Sequence, residues 1–541
     1  KVTSTLGRFQ RYLIERTASG AKFRATIAQD GTRKTELIGA DGTRVQTTAG
    51  GTITTTVMGP DPRFGMQAPI ARSVSITLPS GLTLDRTASR TVSLNSPGDP
   101  LSLLKETDIT LVNGKQFKTE LDTLKGLFTY TSAMNRQRFL ALDGQGRPLQ
   151  ARTPDSHPVN FAYDVRGRLA LVSQGMGDDV RAVQYVYDEE GNVRSVQDTL
   201  TGMTSYAYDK AGRVTAVTLP GDRIVRVGYD ANGNVISVTP PGRPAHGRAY
   251  SSIDQIVGNT VPQSGTEPAT TRYDYNLDKQ MTKVSRPDGQ FIEYGYDSFG
   301  RLASSATEGR VVRYSYDPAT GLLASMTAPD GINAEFSYDG ELVTGVKVGG
   351  PAPGKLSVGY DTFFRIGRVG VNGSEIAFGY DDDDLLTSAG ALQLVRAPTS
   401  GKVTGTQLGQ VATTMTYDQF GELAGTTVKF GSTVLYSEQH VTGTGGRLAR
   451  KTVVKKDDAN TYGYGYDTVG RLKDVTRNGA PVAHFEYDAN GNRTQAYGVT
   501  AEYDEQDRLK RYGDAAYTYT ANGDLKEIAV GSEVKVFAYF A

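Results

Sequence analysis

The heptapeptide Tyr187-Asp188-Glu189-Glu190-Gly191-Asn192-Val193 returns twice in the residues that follow it. It appears as Tyr-Asp-Lys-Ala-Gly-Arg-Val at residues 208–214 and as Tyr-Asp-Ala-Asn-Gly-Asn-Val at residues 229–235, each 21 residues after the one before. A fixed period between about 20 and 50 residues indicates a repeat architecture. The sequence therefore predicts a chain built by repetition of this unit.

Further copies of the unit occupy most of the chain from about residue 140 onward. Clear copies begin at Tyr163, Tyr296, Tyr316, Tyr338, Tyr360, Tyr380, Tyr417, Tyr466, Tyr487, Tyr503 and Tyr519. Four worn copies are predicted at residues 142–149, at Tyr250, at residues 396–403, and at His440, where the copy ends in Gly446-Arg447-Leu448.

The residues before each turn alternate as they do in a β-strand. Ile292, Tyr294 and Tyr296 alternate with Glu293 and Gly295. Because strand side chains point to opposite faces with a period of two, one face is aromatic and aliphatic and the other is small or polar.

The turn itself is predicted from its Asp and Gly. An Asp side chain can accept a hydrogen bond from the backbone two residues on, and Gly provides the positive φ that a tight turn needs. A second turn follows later in the period, for example at Pro287-Asp288-Gly289. One period is therefore two antiparallel strands and two turns.

The number of strands constrains the architecture. From residue 160 onward there is room for roughly 18 units and so roughly 36 strands, whereas open twisted sheets rarely exceed about 10 strands without curling or splitting. At about 4.8 Å per strand, such a sheet extends for roughly 170 Å. We predict an all-β fold: a spiralling antiparallel β-sheet of hairpin repeats that forms a hollow shell.

The chain is predicted to have two parts. Residues 1–140 form a diverged β-hairpin part, because β-branched runs alternate with hairpin signals such as Asp30-Gly31 and Asn113-Gly114. Residues 141–541 form the repeat-built shell. Within the first part, residues 59–69 contain three prolines and are predicted to be an ordered loop or crossing segment, because Pro lacks the N–H donor of a central strand.

Composition excludes several classes of protein. Lys plus Arg and Asp plus Glu both number 59, which argues against a nucleic-acid-binding protein because such proteins need a basic patch. With no Cys there is neither a disulfide framework nor a cysteine zinc site. No apolar run is long enough for a membrane-spanning helix. The first residues resemble neither a signal peptide nor a native start, so we expect a fragment or a processed chain.

No catalytic, cofactor-binding or metal-binding residue is predicted. Asp188 and Asp209 are interpreted as turn residues because every copy supplies the same carboxylate. The run Asp381-Asp382-Asp383-Asp384 could bind Ca²⁺, but adjacent carboxylates of an extended chain point apart, so a solvated turn is preferred.

The remaining candidate residues are also assigned structural or surface roles. The four histidines are scattered; they are His157, His246, His440 and His484. Glycines at residues 175–177 and 443–446 lack the pattern of a nucleotide-binding loop and are predicted to be turns. Residues 61–65 are assigned to closing the fold. The tyrosine ladders could stack on sugars or peptide, although packing within the shell is preferred.

The Tyr-Asp-x-x-Gly-Arg-Leu units, clearest at residues 296–302 and 466–472, resemble those of the YD-repeat, or RHS-repeat, family. That family includes bacterial RHS toxins, the cocoon-forming components of Tc toxin complexes, and the shell of animal teneurins. The resemblance covers at least residues 140–541 and implies a hollow β-shell. In the toxins the shell encloses a C-terminal toxic polypeptide, and in teneurins it is an extracellular scaffold. The family's C-terminal core motif and any cargo domain are absent from residues 1–541.

Two functions remain open at this stage. In the first, the chain is a non-enzymatic β-shell of a larger exported protein and encloses a C-terminal polypeptide, a toxin, or its own interior. In the second, it is a teneurin-like adhesion or glycan-binding scaffold with a cell-surface glycan or protein receptor. Both imply a secreted or cell-surface location, no cofactor and no nucleic-acid partner.

Overall fold

Strands make up nearly all the regular structure of the chain. The computed structural model describes residues 1–177, 179–264, 269–443, 445–456 and 458–539. Its strands are β1 Val2–Thr3, β2 Phe9–Arg16, β3 Lys22–Ala28, β4 Arg33–Ile38, β5 Arg44–Thr47, β6 Ile53–Asp61, β7 Gly65–Thr77, β8 Thr83–Leu94, β9 Leu103–Val112, β10 Lys115–Asp122, β11 Leu127–Thr131, β12 Gln137–Leu142, β13 Pro148–Arg152, β14 Val159–Tyr163, β15 Leu169–Met176, β16 Asp179–Tyr187, β17 Val193–Asp198, β18 Gly202–Tyr208, β19 Val214–Leu219, β20 Arg223–Tyr229, β21 Val235–Thr239, β22 His246–Tyr250, β23 Ile256–Thr260, β24 Thr270–Tyr275, β25 Met281–Ser285, β26 Phe291–Tyr296, β27 Leu302–Thr307, β28 Arg310–Tyr316, β29 Leu323–Thr327, β30 Asn333–Asp339, β31 Leu342–Gly349, β32 Gly354–Tyr360, β33 Ile366–Val371, β34 Ser374–Tyr380, β35 Leu386–Ala389, β36 Leu392–Arg396, β37 Val403–Leu408, β38 Val411–Tyr417, β39 Leu423–Phe430, β40 Thr433–Thr442, β41 Leu448–Lys455, β42 Asp458–Tyr466, β43 Leu472–Arg477, β44 Ala480–Tyr487, β45 Arg493–Ala496, β46 Val499–Tyr503, β47 Leu509–Tyr512, β48 Ala515–Tyr519, β49 Leu525–Val530 and β50 Glu533–Val536.

A single 3₁₀ turn, Pro329–Gly331, is the only helical element of the described residues. No helix in that part of the chain has the length and apolar character needed to cross a membrane.

The 50 strands follow one another in one antiparallel sheet, in which each strand pairs with its neighbours in sequence. In the described part of the chain, β1 pairs with β2 and β50 pairs with β49, and the sheet is open. The prediction of an all-β chain of antiparallel hairpin repeats is confirmed. From residue 159 onward the structure has 37 strands, β14 to β50, close to the number expected from the repeat.

The sheet is a single layer. The substantial contacts between described strands all join neighbours in the ladder. Few apolar side chains are buried, and no large one is fully buried among the described residues. Most side chains of this sheet therefore remain partly accessible, whichever face they lie on.

The strands group into two compact units, each made of two segments of the chain. The first unit contains residues 1–156 and 294–414. The second contains residues 157–293 and 415–541, of which the structure describes those to residue 539. Each unit thus brings together residues more than 200 positions apart in sequence. The predicted division at residue 140 stays a prediction.

The prediction of a loop at residues 59–69 is wrong, because β6 and β7 continue through it. Pro60 is tolerated because the ladder between β6 and β7 is irregular here: it shifts register between Gly59 and Asp61. Pro is compatible with a strand at such a bulge because no ladder hydrogen bond is lost there. The prediction excluded a strand because Pro does not fit a regular ladder, but these residues form the irregular end of a long hairpin.

Candidate functional site

The Tyr-Asp turn is the feature that the chain repeats most often, and the copy at Asp467 shows its geometry. The backbone N–H of Asp467 donates to the carbonyl of Arg471 (2.9 Å), and the N–H of Gly470 donates back to Asp467 (3.0 Å). Oδ1 of Asp467 accepts from the N–H groups of Val469 (3.0 Å) and Arg471 (2.8 Å), while Oδ2 accepts from Arg471 Nε (2.7 Å). Burial alone would raise the pKa of Asp467, but these hydrogen bonds outweigh it and lower that pKa.

The tyrosine before each turn links one copy to the previous one. Tyr466 pairs with Leu472 at a β-bulge, and its hydroxyl donates to the carbonyl of Leu448, 18 residues earlier (2.8 Å). The guanidinium of Arg447 lies over the Tyr466 ring, 5.5 Å from its centroid. The tyrosine is therefore held by the Arg and the Leu of the preceding copy.

The same link recurs along the chain, with hydroxyl–carbonyl distances of 2.7–3.1 Å. Its further donor–acceptor pairs are Tyr187–Leu169, Tyr208–Val193, Tyr229–Val214, Tyr250–Val235, Tyr275–Ile256, Tyr316–Leu302, Tyr338–Leu323, Tyr360–Val343, Tyr380–Ile366, Tyr487–Leu472, Tyr503–Arg493 and Tyr519–Leu509. The Arg–ring contact recurs at Tyr187, Tyr229, Tyr316, Tyr380, Tyr487 and Tyr519. We call this repeated link the tyrosine ladder.

In two worn copies, a side chain other than tyrosine donates the hydrogen bond to the preceding copy. At Arg396 the strand has the same bulge, and Arg396 Nε donates to the carbonyl of Leu386 (2.8 Å). In the copy predicted at His440 the bulge lies two residues later, at Thr442, so the predicted starting residue is wrong. Thr442 is too short to reach the preceding copy, and His440 Nδ1 donates to the carbonyl of Leu423 instead (3.1 Å).

The four consecutive aspartates, residues 381–384, form an ion-paired turn. Arg136 donates from Nη2 to Asp381 Oδ2 (2.8 Å) and from Nη1 to Asp383 Oδ2 (2.7 Å). The side chains of Asp381 and Asp383 are each 9% exposed, so the preferred prediction of a solvated turn is wrong for these two, whereas Asp382 and Asp384 are exposed. Burial would raise the pKa of Asp381, but its hydrogen bonds from Arg136, Leu385 and Asp383 lower it. Among the described residues, no group of three or more acidic or histidine side chains is placed to hold a metal.

Ion pairs and hydrogen bonds between side chains join the two segments of each unit. In the first unit, Asp30 pairs with Arg301 (2.9 Å), and Thr52 Oγ1 donates to Glu341 Oε2 (2.5 Å). In the second unit, Arg243 pairs with both Asp488 and Asp507, at 2.7 Å each, and Arg181 pairs with Glu422 (2.5 Å). Several of these partners are turn residues, so a turn of one segment meets a turn of the other.

A model of the teneurin YD-shell family matches residues 9–539. The chain belongs to this family. It is 25% identical to human and mouse teneurin-4 over 271 residues, which are 44% of this chain and 9% of each teneurin. It is 24% identical to zebrafish teneurin-3 over 298 residues, 48% of this chain and 10% of that protein. The chain thus matches only about a tenth of the length of these relatives.

Solved structures support the same fold. The crystal structure of TcdB2-TccC3-TEV has a TM-score of 0.59 at 11% identity, and covers 98% of this YD-shell chain and 38% of its own. The structure of TcdB2-TccC3 without its hypervariable C-terminal region has a TM-score of 0.53 at 13% identity, and covers 94% and 30%. At such identities the likeness shows the fold alone.

Two aspartates of the YD-shell turns, Asp188 and Asp209, accept hydrogen bonds within their own turns. Asp188 accepts from the backbone of Asn192 and from its side-chain amide (2.7 and 3.1 Å). Asp209 makes the corresponding contacts with Arg213 (3.0 and 2.8 Å). Their predicted role as turn residues is confirmed. In most copies the Asn or Arg partner of this Asp satisfies the second carboxylate oxygen.

The histidines of the YD-shell chain are not brought together. His157 packs edge-on against Phe420 at 5.3 Å, and His246 lies in β22. His484 Nδ1 contacts Asp474 Oδ1 at 2.7 Å on an accessible surface. The predicted glycine turn at residues 443–446 includes Thr444, which lies outside the described residues.

Residues 61–65 form the tip of the β6–β7 hairpin, and ion pairs fasten this tip to β8 and β9. Asp61, which is 4% exposed, accepts from the N–H of Arg63 (2.8 Å) and from Arg90 Nη1 (3.1 Å). Arg90 also forms a two-bond pair with Asp108 (both 2.7 Å), and Arg63 bonds Glu106 (2.7 Å). The charges at this tip are thus engaged with one another.

Sequence reasoning missed two parts of the site. The fifth residue of each turn, usually Arg or Asn, bonds the Asp carboxylate, and as Arg it also covers the next tyrosine. The recurrence of Arg or Asn at this fixed position of the unit was the sequence signal that could have revealed the role. The second is a copy at Tyr275, whose turn has Asn276 in place of Asp and Lys279 in place of Gly. Asn276 still caps this turn, because its Oδ1 accepts from the N–H groups of Asp278 and Gln280 (2.9 and 3.0 Å).

Proposed function

We propose that this chain is a non-enzymatic structural part of a shell in a larger exported protein, and that the shell encloses a C-terminal polypeptide or its own interior. The shell would act by exclusion, because a wall of continuous sheet keeps proteases and solvent components from what it surrounds. A secreted or cell-surface location is part of the same proposal.

The tyrosine ladder is the observation that carries this proposal. The polar groups of the unit are used within the sheet: the carboxylate caps its own turn, the guanidinium in several copies covers the next tyrosine ring, and the phenol bonds a carbonyl of the preceding copy. A typical hydrogen bond contributes a net of only about 1 kcal/mol, but the link recurs from Leu169 to Tyr519. The repeated chemistry thus serves continuity of the wall, which is what a container requires.

The relatives support a polypeptide cargo. One solved neighbour is TcdB2-TccC3 without a hypervariable C-terminal region, and another is TcdB2-TccC3-Cdc42. This chain covers 30–38% of the length of such proteins. A variable polypeptide attached to a conserved repeat shell is the arrangement that we infer for the protein of which this chain is part.

Limited proteolysis of the full-length gene product tests the proposal. We expect a segment outside residues 1–541, identified by mass spectrometry, to resist proteinase K in the intact protein. That segment should become digestible in Arg136→Met, which removes a buried contact between the two segments of the first unit. Lys115→Met, which removes an exposed ion pair to Asp382 in the same turn, is the matched control. Digestion of every outside segment at the same rate in all three proteins would contradict enclosure.

The second candidate function is a teneurin-like adhesion or glycan-binding scaffold. It is favoured by the teneurin relatives and by tyrosines outside the ladder, such as Tyr462 and Tyr464, whose hydroxyls have no partner among the described residues. Binding on a glycan array that disappears in Tyr462→Ala, but persists in the exposed-lysine variant Lys510→Gln, would support it. Binding that is the same in both variants would count against it.

A further inference from the structure

A depression in the second unit lies on one face of β40, β41, β42 and β43, and its volume is about 430 Å³. Val453 is at its centre, because Val453 pairs with Glu438 on one side and with Asn460 on the other. Lys451 and Lys455 precede and follow Val453 on the same face. A small residue ringed by longer side chains leaves a hollow in an otherwise flat sheet. Its volume is in the range of small-molecule sites, about 300–1,000 Å³.

One side of this depression is an internal hydrogen-bonded network. Tyr436 donates its hydroxyl to Glu438 Oε2 (2.6 Å), and Lys451 Nζ donates to the same oxygen (3.0 Å). The hydrogen bond from Tyr436 is the largest cause that lowers the pKa of Glu438, so this carboxylate stays ionised. Glu438 therefore fixes the side chains of Tyr436 and Lys451, which line this side of the depression.

The other side of the depression presents cationic donors, Arg477 and Lys455, that make no ion pair with described residues. Asn460, which is 8% exposed, accepts from Arg477 Nε through Oδ1 (2.6 Å) and donates from Nδ2 to Asp458 Oδ2 (2.9 Å). Arg477 is thereby oriented, while its two Nη groups have no partner among the described residues. Lys455 likewise makes no ion pair with described residues.

The tyrosines of the depression differ from those of the ladder. Tyr462 and Tyr464 lie on the same face as Tyr466, four and two residues before it. The hydroxyl of Tyr466 bonds the carbonyl of Leu448, whereas those of Tyr462 and Tyr464 have no partner in the described part of the chain. These two phenols are available to an incoming molecule, as are the apolar faces of their rings.

We propose that this depression binds an acidic saccharide, a sugar that carries a carboxylate. The cations Arg477 and Lys455 suit the carboxylate, because charge-assisted hydrogen bonds are about twice as strong as neutral ones. The carboxylate of Asp458, which lines the depression, suits sugar hydroxyls, and the tyrosine rings suit the apolar face of a pyranose. An acidic peptide side chain would use the cations but would bring no hydroxyl donor to Asp458. The saccharide is therefore favoured over the peptide.

The test is ligand-detected NMR on the 541-residue chain with matched ligands. D-Glucuronate and D-glucose differ in a carboxylate and are the first pair, N-acetylneuraminate and its methyl ester are the second, and a capped hexaglutamate peptide is the competitor. We expect both acids to bind and both neutral partners to bind at least tenfold more weakly. Arg477→Gln should weaken binding of the acids about tenfold to hundredfold, since a hydrogen bond to a charged group contributes about 1.5–3 kcal/mol. Lys510→Gln, which removes an exposed lysine elsewhere in the second unit, should bind as the parent chain does.

Three results would overturn the proposal. They are equal binding of acid and neutral sugars, absence of binding by all of them, and displacement of the sugars by hexaglutamate at lower concentration. Circular dichroism of Arg477→Gln separates a lost ligand contact from a lost fold. The inference deepens the scaffold function and does not depend on a cargo. Failure of sugar binding would therefore leave the proteolysis result unchanged, and the two proposals fail separately.

Discussion

Arg136 is the residue whose removal gives the sharpest test of how the first unit is held together. It is the shared partner of Asp381 and Asp383, and all three side chains are about a tenth exposed. Changing Arg136 to Met keeps much of its length and removes the charge. Two nearly buried carboxylates then lose their cation, which is the costly way to break an ion pair.

The expected cost follows from what remains around these carboxylates. Removing one partner of a buried pair costs about 3–5 kcal/mol. Asp383 keeps donors from Ser132 Oγ (2.6 Å) and the N–H of Met134 (2.9 Å), so we expect the lower end, about 3 kcal/mol. The control is Lys115→Met, since Lys115 and Asp382 are 41% and 44% exposed. Such a surface pair contributes at most about 1 kcal/mol.

Native-state hydrogen exchange at the Met134 amide measures this difference locally, because that N–H donates to Asp383 Oδ1. A loss of about 3 kcal/mol would lower its protection about a hundredfold in Arg136→Met. Adding Asp381→Asn and Asp383→Asn should restore part of the protection, because the unpaired charges are then gone. Equal protection in Arg136→Met and Lys115→Met would refute the reasoning.

Two further predictions concern the turn and the ladder. Tyr466→Phe removes the hydrogen bond to Leu448 and should lower the free energy of urea unfolding by about 1 kcal/mol; Tyr464→Phe, whose hydroxyl has no described partner, should leave it unchanged, and equal effects would contradict the ladder. Asp504 is 4% exposed, and although its burial acts to raise its pKa, hydrogen bonds from Arg508 and the turn backbone lower it below the ordinary value of about 3.9. The stability from this lowered pKa is fully present above about pH 4 and is lost as pH falls through the folded-state pKa. Asp504→Asn should therefore flatten the acid limb of stability against pH, and an unchanged acid limb would argue against this linkage.

The part of the fold that is local could be predicted from the sequence. An Asp that bonds the backbone two and four residues on, and a Gly with positive φ, are properties of one short segment, such as Asp209 to Gly212 with a φ of 75°. The alternation before Tyr296 likewise depends only on strand geometry. Because the unit repeats, these local predictions together predict the sheet.

The contacts between distant segments could not be predicted in this way. Whether Asp381 is solvated depends on Arg136, which is 245 residues earlier, and nothing in the local sequence of either residue specifies the other. The hairpin through Pro60 was missed for a related reason: Pro is excluded from a regular ladder, but the position of a bulge depends on the partner strand. The structure explains why Arg396 can take the place of a ladder tyrosine: any donor of suitable length can satisfy the same carbonyl.

The ladder joins residues whose separation along the chain is not constant. The tyrosine and its carbonyl are 10 residues apart at Tyr519 and Tyr503, but 19 apart at Tyr275. The second turn of each period lies between the two linked residues, so its length can change while the link is kept. Insertions at these turns would therefore be tolerated far better than insertions between Tyr and Arg of the unit. Over evolutionary time, a lineage could add new surface loops at the second turns without altering the geometry that joins one copy to the next.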